Sequence, residues 1–254
     1  MSGLTAWFAD VVALDPDDRR TWVHEPDGAT SLVFRTTAEG DRDLQVVGPR
    51  TRGTYVTSKQ MATCVKMRIR PGGAEALLGV PASDLVDRVV PLTELWGDAA
   101  VRLGRDLSDA DMDLGVESMR MRVESAMLQH LSGMASADLS PAHLLRDAAE
   151  ALAPRPDRRP EPIGSLARRL AVSERHLRVL FTKGVGVSPK RFARIERVRS
   201  VLANAPDTRW ARLATETGYY DQSHMTAEFR TLMGVPPGAF FAGRIPDGLP
   251  CQGR

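Results

Sequence analysis

"LATETGYYDQSHMTAEFRTLMGVPP", Leu213–Pro237, is the stretch on which the fold turns. Asp221, Ser223 and His224 crowd together at what reads as a helix start, and an acid, a hydroxyl and an imidazole invite a hydrolytic interpretation. Helical geometry rejects it. Successive side chains turn by about 100°, so these three leave the axis in different directions and cannot meet at one reacting atom. An earlier stretch explains the segment better. "LARRLAVSERHLRVLFTKGVGVSP", Leu166–Pro189, lays over it, with Leu166 and Ala167 matching Leu213 and Ala214 at an offset of 47. His176, Phe181, Gly186, Val187 and Pro189 match His224, Phe229, Gly234, Val235 and Pro237 at an offset of 48, so the second copy has one extra residue in its turn.

Each copy predicts a short helix, a turn, and a second helix capped by Ser173 or Asp221, which is a helix-turn-helix pattern. Between the copies, "SPKRFARIERVRSVLAN" predicts one linking helix, with Ser188 capping, Pro189 opening, and Phe192, Ile195, Val198 and Leu202 as its apolar stripe. On the second helices, Leu177, Leu180 and Phe181, and likewise Met225, Phe229 and Leu232, point inward. The opposite arcs hold Arg175, Arg178, Val179 and Thr182 in the first copy. In the second they hold Ser223, Thr226, Ala227 and Arg230, with Gln222 exposed at the helix start. With the cap Ser173, these residues form the candidate DNA-contacting set. Small, polar and basic groups suit a helix in a major groove, where a carboxylate would face phosphate.

The charge distribution agrees. The formal charge of +2 conceals a split: residues 1–140 carry 15 Lys and Arg against 21 Asp and Glu, whereas residues 141–254 carry 19 against 11. Only Lys183 and Lys190 among those 19 cations are lysines. Arginine's planar fork suits phosphate and guanine, so the second half is expected to meet a polyanion. No run reaches the roughly 18 apolar residues of a membrane span. No signal peptide is visible, and Cys64 and Cys251, the only cysteines, make neither a disulfide framework nor a zinc site. A cytoplasmic protein without metal or cofactor is expected.

The residues from about 141 to 242 resemble the DNA-binding domain of the AraC/XylS transcription regulators. The resemblance rests on "SLARRLAVSERHLRVLF", "SPKRFARIERVRSVLA" and "LATETGYYDQSHMTAEFRTLMGVPPGAF". It implies two helix-turn-helix units that enter successive major grooves, about 34 Å apart, on one side of the duplex. The family's base-reading places fall on Arg175, Arg178 and Val179, and on Gln222, Ser223, Thr226 and Ala227. The positions of Val179 and Ala227 often hold a long polar residue in that family; here each offers only contact with a thymine methyl. A double-stranded DNA operator is the implied partner. RNA polymerase, a small-molecule effector and a second copy of the chain are further candidate partners, and no membrane is implied.

The first half predicts strands in "TSLVF", "DLQVVG", "GTYVT" and "MATCVKMRIR", separated by turn residues. In the last of these Thr63, Val65, Met67 and Ile69 share one face, and Cys64, Lys66, Arg68 and Arg70 the other, as in a half-buried strand. Helices are expected at Asp98–Leu107 and about Asp111–Leu131, the second with Met112, Val116, Met119, Val123, Met127 and Leu131 as a stripe for dimerisation or for covering the sheet. Residues 20–100 resemble the N-terminal domain of one branch of the same regulators, for which a cupin-like barrel is the analogy. The expected fold class is α+β: a cupin-like, β-rich sensing or dimerising domain with following helices (1–135), an all-α DNA-binding domain of two helix-turn-helix units joined by a long helix (141–242), and a flexible tail (243–254).

Two other functions compete. A DNA-repair methyltransferase with the same helix-turn-helix type needs a cluster of reactive or zinc-binding cysteines, which this chain lacks. A non-specific architectural DNA-binding protein does not need two capped reading helices at matched spacing.

Overall fold

The structure, a computed structural model, describes residues 8–14, 21–37, 42–57, 61–108, 115–132, 140–155, 160–205 and 209–250. Met112 and Cys251 lie outside them. The N-terminal half is built on two sheets. The larger is antiparallel, in the order β1 (Phe8–Leu14), β6 (Met61–Ile69), β3 (Ser31–Thr37), β4 (Arg42–Val47) and β7 (Val89–Pro91). The smaller contains β2 (Thr21–His24), β5 (Thr54–Thr57) and β8 (Leu249–Pro250). The expected α+β class holds, and β1, β2, β7 and β8 add to the four strands that the sequence spells out. β7 lies in a stretch that Gly and Pro make look like broken helix.

The strand alternation of β6 is real, but its second face is not solvated. Val65, Met67 and Ile69 pack inward with Leu32, Phe34 and Val46. Across the strand, Lys66 and Arg68 reach the buried Asp27 carboxylate at 3.0 and 2.8 Å. Helices α1 (Gly73–Leu78), α2 (Leu92–Trp96), α3 (Asp98–Ser108) and α4 (Gly115–Ser132), with a 3-10 turn at Ala82–Leu85, cover the inner face. Val123 and Met127 of α4 are buried in this same core, so the described part of that stripe covers the sheet.

Two further cores lie in the C-terminal half. The first gathers α5 (Ser140–Leu152), α6 (Ile163–Arg169) and α7 (Glu174–Val185) around Leu145, Leu166, Leu177 and Phe181. The second gathers α9 (Trp210–Glu216) and α10 (Gln222–Met233) around Leu213, Tyr219, Met225 and Phe229, with Phe240 of α11 (Pro237–Phe241) against it. The linking helix α8 (Pro189–Asn204) feeds both, giving Phe192 to the first and Ile195, Val198 and Val201 to the second. It also grips α10 by charge. Glu228 is 6% exposed and accepts from Arg194 at 2.8 Å and from both forks of Arg197 at 2.8–3.0 Å.

The N-terminal domain touches both units. Gly28 lies against the Phe192 ring, and the Arg199 guanidinium is 3.7 Å from Asp27. Val23 of β2 packs on the second core. Within the segment expected to be loose, Leu249 and Pro250 pair in parallel with Val56 and Thr57, and the Thr57 hydroxyl donates to Gly248 O. Open backbone groups on the free side of β5 explain why so short a segment is held.

Three outcomes follow from this packing. The Gly48 backbone lies so close to Leu85 O that a Cβ would overlap it. Gly48→Ala should therefore cost about 1–3 kcal/mol, read as a lower urea midpoint at unchanged slope. Glu228→Ala strands two arginines; because they are 30% and 19% exposed and can partly rehydrate, the loss should fall near the lower end for a broken buried pair, ~3 kcal/mol, measured as a drop in Tm. The third outcome is acid sensitivity. Burial, with Arg50, Lys66 and Arg35 adding to it, lowers the His24 pKa from 6.5 to about 4. Between those values the unfolded chain binds a proton that the folded chain does not, so stability should fall as pH drops, by up to about 3 kcal/mol. Burial alone would raise the Asp27 carboxyl, but Lys66, Arg199, Arg68 and the Ala29 N–H hold it well below the usual carboxylate range. Its contribution is then lost at still lower pH. Urea unfolding at pH 7 and at pH 4.5 measures the His24 effect, and His24→Asn should flatten it.

Candidate nucleic-acid interface

The two units have matching turns and caps. Ala171 (φ 55°) and Gly218 (φ 81°) take the left-handed turn position. Val172 N donates to Ala167 O at 3.0 Å, and Tyr219 N to Ala214 O at 2.8 Å. The Ser173 hydroxyl then accepts from His176 N, as the Asp221 carboxylate accepts from His224 N. Gly186 and Gly234, both left-handed, end α7 and α10. These pairings identify the extra residue of the second unit as Tyr220. Its register partner would lie between Val172 and Ser173, where the first unit has nothing.

The two adjacent tyrosines take different places in the second unit. Tyr219 is buried edge-on to His224 at 5.3 Å, with the Arg197 guanidinium 5.1 Å from its ring centre. Tyr220 is 92% exposed, directly before the α10 cap. The change of offset from 47 to 48 marks this inserted position in the sequence.

The predicted outer arcs face solvent. Arg175, Arg178 and Thr182 are exposed on α7, and Val179 is 60% exposed, unusual for an aliphatic side chain with nothing to cover. On α10, Gln222, Ser223, Ala227 and Arg230 are exposed and Thr226 is half-buried. Three of the candidates already have local partners. Ser173 is the α7 cap, Thr182 donates to Arg178 O at 2.8 Å, and Arg178 pairs with Glu174 at 3.2 Å. That last pair is half-exposed on both sides, so it holds weakly and can give way to a phosphate or a guanine.

The neighbouring cations sort by structure. Arg194 is committed to Glu228, Arg169 to Glu161, and Arg191 donates to Thr51 O at 3.1 Å. Lys190 is exposed at the mouth of a groove of about 510 Å³ between α8 and α10, lined also by Ala193, Arg197, His224, Ala227 and Thr231. This groove opens beside the outer arc of α10, where a backbone phosphate would lie if the helix entered a major groove.

Chemistry of other kinds finds little here. Among the described residues no group of His, Cys, Asp and Glu is placed to hold a metal ion. Burial pushes the Cys64 thiol pKa up, the opposite of what a reactive thiolate needs. No helix among the described residues is long and apolar enough to cross a membrane.

Residues 166–243 match the family model described as a helix-turn-helix domain, and residues 6–91 match a domain of unknown function. No curated protein matches the chain. Among solved structures, it is similar to ToxT from Vibrio cholerae, at 10% identity over 93% of this chain and 98% of that one, with a TM-score of 0.46. The ToxT structure bound to (E)-4-(8-methylnaphthalen-1-yl)but-3-enoic acid is similar at 11% identity over 93% and 98%, with a TM-score of 0.48. The helix-turn-helix match lies over the duplicated, capped units, so residues 166–243 form a helix-turn-helix domain.

Proposed function

We propose that this regulator reads a specific operator by laying α7 and α10 into successive major grooves on one side of the duplex. The observation that carries this is the pair of outward arcs: two capped helices, alike in turn and terminus, each presenting small, polar and basic side chains to solvent. Arg175 or Arg178 suits guanine and Gln222 suits adenine, while Val179 and Ala227 meet thymine methyls. Ser223, Thr226, Thr182 and Arg230 flank these contacts, and Ser173 orients the helix start. Lys190 and the Tyr220 hydroxyl sit where phosphate oxygens would pass.

On this reading the chain is not an enzyme. Asp221 is engaged as a helix cap and His224 packs on Tyr219, so neither is free to activate Ser223. It acts in the cytoplasm, where the DNA is. An effector, a second copy of the chain or RNA polymerase acting on the N-terminal domain would reach the DNA-binding units through the junction between the two halves. The small cavity at that junction, lined by residues including Gly28, Ile69, Gly72 and Gly184, holds about 10 Å³, which is room for about one water.

Selection from random DNA with the purified chain, followed by footprinting, tests the reading. Two protected grooves about one helical turn apart are expected. Arg178→Ala and Gln222→Ala should each lose about 1–3 kcal/mol of specific affinity at fixed salt, with random-sequence affinity little changed. An architectural protein would instead lose equally on both DNAs, and protection of a single groove would rule out the two-unit reading.

A further inference from the structure

The loop between β4 and β5 touches both helix-turn-helix units at once. Pro49 packs on Gly186, the residue that ends α7. Thr51 O accepts from Arg191 in the first turn of α8 at 3.1 Å. Gly53 N donates to Leu232 O at 2.7 Å, and the Tyr55 hydroxyl, just beyond on β5, donates to Met233 O at 2.7 Å. Those last two carbonyls end α10 and have no partner within their own helix. The N-terminal domain thus supplies partners for two end carbonyls of the second helix while abutting the end of the first.

The loop is itself held firmly. Asp27 and Arg50 exchange backbone hydrogen bonds at 2.8 and 2.9 Å. The Asp87 carboxylate takes the Thr51 N–H at 2.7 Å and its hydroxyl at 2.6 Å, and Asp87 N donates to Pro49 O at 2.8 Å. Asp87 adopts φ 55°, a conformation uncommon outside glycine that persists where surrounding contacts over-determine it. By contrast, the two units have separate cores and are joined directly through α8.

We propose that residues 49–53, with Tyr55, are positioning residues for DNA reading: they set the separation and relative angle of α7 and α10, and hence the spacing between the two grooves that the chain accepts. The inference rests on the two-groove reading above. One added base pair moves a contacted groove by about 3.4 Å along the axis and rotates it by roughly a tenth of a turn. A braced pair of helices cannot follow that change, whereas an unbraced pair can flex about α8.

The test uses the full chain and the operator it selects, with one or two base pairs inserted or removed between the protected grooves. Tyr55→Phe removes the hydroxyl that caps α10, and Asp87→Gly removes the carboxylate that holds the Thr51 N–H and hydroxyl, loosening the loop at its centre; neither residue is in the proposed DNA contact set. Wild type should lose about tenfold or more in affinity for a one-base-pair change, comparable to a mismatched base. Both variants should flatten that penalty to about threefold or less while keeping most of the affinity at the original spacing. A general loss of folded protein lowers affinity on all spacers alike and leaves the profile's shape intact. An unchanged profile in the variants overturns the positioning role, as does a wild type indifferent to spacing. A wild type that selects no sequence overturns the two-groove reading, and the positioning role falls with it.

Discussion

Neither helix-turn-helix unit is large enough to bury a self-sufficient core, and that shortage organises the whole molecule. Chains of this size expose too large a share of their surface to be stable alone. Each unit therefore leans on α8, which gives Phe192 to one and Ile195, Val198 and Val201 to the other. Each leans also on the N-terminal domain, the first through Gly186 and Gly184 and the second through Val23 and the end of α10. The outer arcs of α7 and α10 face solvent while their inner sides are buried in the two cores.

Charge at the junction reinforces this division of labour. Asp27 joins the second face of β6 to α8, because Lys66 and Arg68 come from the strand and Arg199 from the linking helix. A buried carboxylate is tolerable only when paired and hydrogen-bonded. Separating the halves would leave Asp27 with fewer cations and expose apolar surface at Phe192 and Val23, so the docked arrangement is favoured by both terms.

The C-terminal fold was largely legible because its signals are local. Capping residues, helix-ending glycines and apolar spacing lie within a few positions of the structure they specify, and the duplication states each signal twice. The alternation of β6 was equally plain. What covers its second face was not, since Asp27 and Arg199 are remote in sequence from Lys66. The same holds for Tyr55 and Met233, 178 positions apart, whose hydrogen bond no periodicity announces. Among the candidate site residues, the outer arcs could be placed from helical geometry alone. The commitments of Arg194 and Arg191 could not, because an arginine on a helix surface looks the same whether it faces phosphate, a carboxylate or a neighbouring carbonyl.

The last strand has a consequence of its own. A strand at the border of a sheet offers a row of unpaired donors and acceptors on which another polypeptide can template itself. By lying along Val56 and Thr57, Leu249 and Pro250 shield that border. A chain shortened just after α11 would leave it bare, and the remaining fold would then gain a seam for self-association.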